Sequence, residues 1–116
     1  MTMDAEDRQL ILTAAWVFAR HGQGARARTL CEALVEADPR DGVSAAALAE
    51  RLVEDNEPER ALAVLRAADY PDALARPAAL LETRALRMLG RDEEADRRWR
   101  RHLDSQRKNR QWVAAT

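Results

Sequence analysis

Side chains able to do covalent or metal chemistry are few in this chain and stand far apart. Cys31 is the single cysteine, and His21 and His102 have no cysteine, histidine or carboxylate set around them at the spacing of a metal site. The run HGQGAR lacks the lysine and the preceding strand of a phosphate-binding loop. GVSAA resembles the start of a nucleophile elbow but falls at a predicted helix start. We therefore expect neither an enzyme nor a bound cofactor or metal.

Charge is concentrated in residues 97–110, which hold seven basic side chains against one acid, Asp104. Trp99 and Trp112 are interleaved with them, and basic residues with aromatics can bind single-stranded nucleic acid. The other interpretation is a helix with basic residues near its C-terminus, where they suit its dipole, and with Trp99 in the core. The upstream acids of RDEEAD and the net charge of −1 favour this second interpretation, so we do not expect a nucleic-acid partner.

Composition indicates a helical protein of a reducing compartment. The sequence is rich in alanine, arginine and glutamate and has almost no runs of β-branched residues, which predicts an all-α fold. One cysteine excludes an intramolecular disulfide framework. No run of roughly 18 apolar residues predicts a membrane span, and the start MTMDAEDRQL lacks the pattern of a secretory signal. We expect a cytoplasmic protein.

A period of 34 residues organises the elements that must carry these side chains. Ala27, Ala61 and Ala95 are separated by 34 residues in both intervals. Thirty-four residues is the length of a helix–turn–helix repeat unit, and stacked units of this kind form binding surfaces. The same shift superposes Gly22, Asn56 and Gly90; Phe18, Leu52 and Leu86; and Cys31, Leu65 and Trp99.

Turn and cap residues divide the chain into three helix pairs. Asp4 is a candidate cap for the first helix, which ends where Gly22 supplies a left-handed turn. The second helix is predicted from about Ala25 to Ala37, before Pro39. The second pair is VSAAALAERLVED and EPERALAVLRAAD, then YPDALARP is a predicted linker, and the third pair is AALLETRALRML and RDEEADRRWRRHLDSQRKNR. The final QWVAAT is either a frayed end or a short cap, with Trp112 folding back on the last helices or touching a partner.

These positions resemble the tetratricopeptide repeat family over about residues 8 to 107. The period and the small residues carry the resemblance, although Ile11, Ala45 and Ala79 stand where the family has its signature tryptophan. The resemblance implies a single domain, residues 1–116, folded as a right-handed solenoid of about three helix–turn–helix repeats. The implied repeats span about residues 8–41, 42–75 and 76–109, with a C-terminal tail at 110–116.

A narrower resemblance is to the small tetratricopeptide chaperones of bacterial type III secretion systems, in the class that holds the needle subunit. It is carried by YPDALARPAALLETRALRMLG, a YPD linker leading into the third repeat. It implies a protein-binding chaperone that holds an amphipathic helix of an export substrate in its concave groove, together with a small helical co-chaperone. The alternative is a generic scaffold that mediates assembly of another bacterial complex, self-association included.

The family resemblance also implies which residues line that groove, because the first helix of each repeat faces it. Trp16 lies away from the apolar face of its own helix, so it is either a partner-binding anchor or is packed under a loop or a dimer partner. Arg84 and Arg87, one turn apart, either meet a carboxylate or a chain terminus, or form a solvated face. The implied groove residues are Gln9, Leu12, Trp16 and Ala19; Val43, Ala46, Glu50 and Val53; and Pro77, Leu80, Arg84 and Arg87.

Overall fold

The computed structural model describes residues 3–115, and every regular element in that range is an α-helix. The prediction of an all-α protein is therefore confirmed. Six helices follow one another in three pairs, and a short turn joins the two members of each pair. The helices are α1 (Ala5–Arg20), α2 (Gly24–Ala37), α3 (Gly42–Glu54), α4 (Pro58–Ala67), α5 (Asp72–Met88) and α6 (Asp92–Ala115).

The turn inside each pair has the same backbone geometry. Gly22, Asn56 and Gly90 have φ angles of +75°, +60° and +75°, the left-handed conformation that commonly ends a helix. In each case the next amide donates to a carbonyl five positions back, so the last turn of the helix is closed identically. These hydrogen bonds run from Gln23 to Phe18, from Glu57 to Leu52 and from Arg91 to Leu86, at 2.8, 2.8 and 2.9 Å.

Aspartates begin the first helix of the first two pairs. Oδ1 of Asp4 accepts from the Asp7 amide at 2.8 Å, as the sequence predicts for that cap. Oδ2 of Asp41 accepts from the Ser44 amide at 3.1 Å and begins α3 in the same way. Pro58 occupies the first turn of α4, where its missing N–H removes no intrahelical hydrogen bond.

One apolar core runs through all three pairs. Each helix packs on the next along the chain, and α3 also packs on α5. Ala27, Ala61 and Ala95 are buried in this core, where their small volume lets neighbouring backbones approach. Cys31 is buried among them and acts as a small apolar filler, as predicted.

An arginine cluster ties the first pair to the second. Arg28 of α2 pairs with Glu32 on its own helix and with Asp55 and Glu57 at the turn between α3 and α4. These hydrogen bonds, that with Glu57 first, raise the pKa of Arg28, and the bond from Arg28 holds the pKa of Glu57 below its ordinary value. The cluster therefore fixes the end of α3 against α2.

The third pair begins earlier than the sequence predicts. The segment YPDALARP was expected to be a linker, but α5 starts at Asp72 and continues through Pro77. Pro71 precedes the helix with φ −67° and ψ 160°, a conformation that suits proline. Pro77 removes one backbone hydrogen bond, and both Pro77 and Ala73, whose carbonyl loses its donor, lie at exposed positions where water can replace it.

The last helix is longer than expected. Residues 111–115, predicted as a frayed end or a cap, continue α6 as regular helix, and Thr116 lies outside the described residues. Trp112 is 73% exposed on this extension, so it does not fold back over the core. Trp99, predicted to be a core residue, is only half-buried because α6 is the outermost helix of the third pair.

Candidate partner-binding site

A cleft of about 230 Å³ opens between α1 and α3. Its floor is made by Ala27 and Cys31 of α2, both buried, so the recess reaches the core. Ala27 is one of the alanines repeated every 34 residues, whereas Cys31 stands where the later pairs have Leu65 and Trp99. The small volume of these two floor residues leaves the recess. The walls are Leu12, Ala15, Trp16 and Ala19 of α1 and Ala47, Glu50 and Arg51 of α3.

Trp16 forms the rim of this cleft. Its side chain is 61% exposed, the highest exposure of any large hydrophobic residue lining the recess. The Arg20 guanidinium lies 4.9 Å from the centre of the indole ring, a cation–π contact that orients the ring along α1. An aromatic ring of this size, held in place and open to water, can bury a large apolar area when a partner covers it.

Charges stand at the edge of the cleft and not on its floor. Glu50 and Arg51 line the α3 side, next to each other in sequence and of opposite sign. Burial raises the pKa of the Cys31 thiol above its ordinary value, so the floor stays neutral and apolar near pH 7. The cleft therefore has an apolar centre and a polar border, the usual anatomy of a protein-binding surface.

A second cleft, of about 410 Å³, lies between α5 and α6. It brings together Leu80, Arg84 and Arg87 of the predicted groove with Thr83 and Trp99. It shares no lining residue with the first cleft, so the predicted groove residues occupy two separate recesses.

Both arginines of the second cleft already have carboxylate partners within the chain. Arg84 pairs with Glu54 of α3 at 3.5 Å, and Arg87 pairs with Asp96 of α6 at 3.0 Å. These internal ion pairs occupy both guanidinium groups, which leaves the α1–α3 cleft as the stronger candidate site.

The remaining predicted groove residues lie outside both recesses. Val53 is a correction to the sequence prediction: it is 3% exposed and belongs to the core, because α3 is packed by α2, α4 and α5 together. Gln9, Val43, Ala46 and Pro77 are at least partly exposed but line neither cleft. Sequence reasoning missed Ala47 and Arg51 as lining residues, since only the angle between α1 and α3 turns them toward Trp16.

The arginine-rich part of α6 forms a third surface, a shallow recess of about 480 Å³ on one helix face. Arg98 is not part of it, because its Nε donates to Glu82 at 2.9 Å. The recess is lined by Arg97, Arg100, Arg101, Asp104, Ser105, Lys108 and Asn109.

Comparison with the models of known protein families found no match, and comparison with curated protein sequences found none either. Across residues 3–115, no three cysteine, histidine or carboxylate side chains lie close enough to hold a metal ion. No helix in that range has the length and apolar character needed to cross a bilayer.

Proposed function

We propose that this chain is a non-enzymatic, protein-binding chaperone or adaptor that accepts an amphipathic helix of a partner protein at the α1–α3 cleft. The observation that carries the proposal is the position of Trp16, exposed at the rim of a recess whose floor is Ala27 and Cys31. A large aromatic beside an apolar recess is the typical form of a binding anchor.

The size of the cleft favours side chains of a helix as the occupant. A helix with its side chains is roughly 10–12 Å wide, so a recess of about 230 Å³ accepts individual side chains and not the helix itself. An amphipathic helix supplies apolar side chains one turn apart, at i and i+4. Glu50 and Arg51 would then meet the polar flanks of that helix.

For the architecture we propose the right-handed solenoid of three helix–turn–helix repeats implied by the tetratricopeptide resemblance. Support comes from the left-handed residues Gly22, Asn56 and Gly90 at a 34-residue spacing and from their identical closing hydrogen bonds. Packing of each helix on its successor, and of α3 on α5, is what stacked units require.

The particular form we propose is a cytoplasmic chaperone of a type III secretion system that holds a needle-type subunit until export. It is supported by the resemblance of the stretch around α5 and by the apolar cleft, which would accept apolar side chains of the subunit's assembly helix. The alternative is a scaffold in another bacterial assembly, for which the same cleft would bind a permanent partner.

Binding at the cleft is tested with Trp16→Ala, and Trp112→Ala serves as the matched control because it removes an exposed tryptophan from α6. The tagged chain is used to capture partners from the cells that express it, and mass spectrometry identifies them. A helical segment of the captured protein is then titrated against both variants by calorimetry. We expect Trp16→Ala to weaken binding by about 30-fold, equivalent to about 2 kcal/mol, and Trp112→Ala to leave it unchanged.

Equal affinity of the parent and Trp16→Ala proteins, with helical content retained in both, would contradict the cleft as the binding site. Polymerisation of the captured partner separates the two forms of the proposal. A chaperone keeps its partner monomeric in stoichiometric mixtures, whereas a scaffold leaves the partner's assembly unaffected.

A further inference from the structure

The outward face of α1 carries an apolar stripe, Leu10, Ala14 and Val17, spaced i, i+4 and i+7 along one side of the helix. Leu10 is 69% and Val17 is 42% exposed, and Ala14 is half-buried. Within the described residues 3–115 no helix covers this stripe. The positions 34 and 68 residues further along the chain, on α3 and α5, show what kind of surface covers this stripe in the later pairs.

The corresponding positions of α3 face the preceding helix pair. They are Ser44, Leu48 and Arg51, of which Ser44 and Leu48 are buried. Arg51 lies against α2, since its Nη1 would be 3.4 Å from a Cβ placed on Gly24. This side of α3 is therefore the surface on which the first pair packs.

The corresponding positions of α5 do the same with the second pair. Ala78 and Ala85 are buried, and Glu82 between them accepts from Nε of Arg66 in α4 at 3.1 Å. In both later pairs, then, this stripe is an interface with another helix pair. On α1 the same stripe is more apolar than in either later pair and lacks that covering.

The charges at the two ends of α1 indicate which partner surface could cover the stripe. Glu6 and Asp7 lie in the first turn, and Arg20 and His21 lie at the end of the helix. A second α1 laid antiparallel about the midpoint of the stripe brings Leu10 opposite Val17, Asp7 opposite Arg20 and Glu6 opposite His21. A parallel copy would instead place like charges side by side.

From this self-complementary pattern we propose that two copies of the chain associate through their α1 helices, packed antiparallel about a twofold axis. Leu10 and Val17 of each copy bury one another at the centre, and Asp7–Arg20 ion pairs close both ends. A twofold interface uses the same patch on both copies, and such closed dimers are the commonest oligomers.

Head-to-tail association is disfavoured by the other end of the molecule. The outermost helix there is α6, whose free face carries Arg97, Arg100, Arg101 and Lys108. Packing the apolar stripe of α1 on that face would bury arginine and lysine side chains without partners. The Trp16 cleft lies on the opposite side of α1, roughly 180° around the helix from the stripe by the mean direction of its α1 wall residues, since successive residues turn by about 100°. Dimerisation leaves it open, and the inference does not depend on the proposed function.

The test is the molar mass of the full chain by sedimentation equilibrium, at concentrations from about 1 to 100 µM, a range over which many homodimers form. We expect a concentration-dependent dimer. Leu10→Glu and Val17→Glu should each raise the dimer dissociation constant at least tenfold, because a carboxylate would be buried at the centre. Leu103→Glu, on an exposed leucine of α6, is the matched control and should not change it.

Antiparallel packing is tested by charge reversal. Asp7→Arg and Arg20→Asp should each weaken the dimer, and the double variant should regain the affinity of the parent because both ion pairs are restored with reversed sign. Circular dichroism checks helical content in each variant, since Arg20 also contacts Trp16. A monomer over the whole range, a dimer that survives Leu10→Glu and Val17→Glu, or failure of the double reversal to restore affinity would overturn the proposal.

Discussion

Glu82 accepts a hydrogen bond from Nε of Arg98 at 2.9 Å, while its other carboxylate oxygen accepts from Arg66 at 3.1 Å. Glu82 lies on α5, Arg98 on α6 and Arg66 on α4, so one buried carboxylate joins three helices. Arg66 also reaches Glu94 of α6 at 3.6 Å. The cluster therefore links α6 to α4 and α5, the helix that forms the other wall of the second cleft.

Replacing Glu82 should therefore loosen the third pair. Glu82→Ala leaves the Arg98 guanidinium, whose side chain is largely buried, without its carboxylate, and we expect a loss of about 2 kcal/mol in the free energy of unfolding. Urea denaturation followed by circular dichroism measures it. Glu93→Ala, at an exposed acid in the first turn of α6, is the control, and a loss no larger than that of the control would refute the role of the cluster.

Gly42 and Gly24 make a matched pair for testing close packing at helix starts. A Cβ on Gly42 would lie 2.4 Å from the Asp69 carbonyl oxygen and 2.9 Å from the Tyr70 ring. A Cβ on Gly24 would meet only the flexible end of Arg51, at 3.4 Å. We expect Gly42→Ala to destabilise the fold by about 2 kcal/mol or more, and Gly24→Ala to leave stability unchanged or slightly raised. Thermal denaturation gives the melting temperatures of the two variants. Similar melting temperatures would contradict the close approach of Gly42 to Asp69 and Tyr70.

Asn56 is the one described non-glycine residue with a positive φ, and its conformation can be tested by two substitutions. Asn56→Ala should cost about 1 kcal/mol, because a Cβ without a compensating polar group disfavours the left-handed region. Asn56→Gly should keep or raise stability, since glycine holds this conformation at Gly22 and Gly90. Chemical denaturation of both variants gives the comparison. An alanine variant as stable as the glycine variant would rule out the left-handed turn.

His102 should make stability fall on acidification. It is buried on α6 beside Trp99, with ring centres 5.2 Å apart, and burial together with Arg98 and Arg76 lowers the pKa of His102 below its ordinary value of 6.5. The folded state therefore favours neutral histidine. Below about pH 6.5, His102 takes up a proton more readily in the unfolded chain than in the folded chain. The stability that is present above that pH is therefore lost as the pH falls.

The measurement for His102 is the urea midpoint between pH 7.5 and pH 5.5. The parent protein should lose more stability over this interval than His102→Leu, which has no proton to take up at that position. His21→Leu, at the exposed end of α1, keeps His102 and should retain the acid-dependent loss that His102 causes. A His102→Leu variant with the same pH dependence as the parent would show that His102 does not contribute.

Much of the backbone could be predicted from short stretches of sequence. The left-handed turns at Gly22, Asn56 and Gly90 and the cap at Asp4 each depend on one residue type and its immediate neighbours, and all appear where expected. The predicted start of α5 was wrong. A proline usually indicates a helix end, whereas Pro77 lies inside α5 where its missing hydrogen bond is exposed to water.

The candidate site could be predicted only in part. Trp16 was identified because it stands off the apolar side of its own helix, which the helical period alone reveals. That Val53 is buried, that Trp99 is half-exposed and that Arg84 and Arg87 pair with Glu54 and Asp96 depends on neighbours distant in sequence.

One physical reason explains why the helices and turns could be predicted and the clefts and ion pairs could not. Helix boundaries and turns are decided by backbone conformations and hydrogen bonds within about five residues, which a linear sequence displays directly. Clefts and ion pairs are decided by the distances and angles between helices, which follow from how all the side chains of the core pack together. The sequence therefore contained the six helices and the 34-residue period, and only their packing separated the α1–α3 cleft from the recess between α5 and α6.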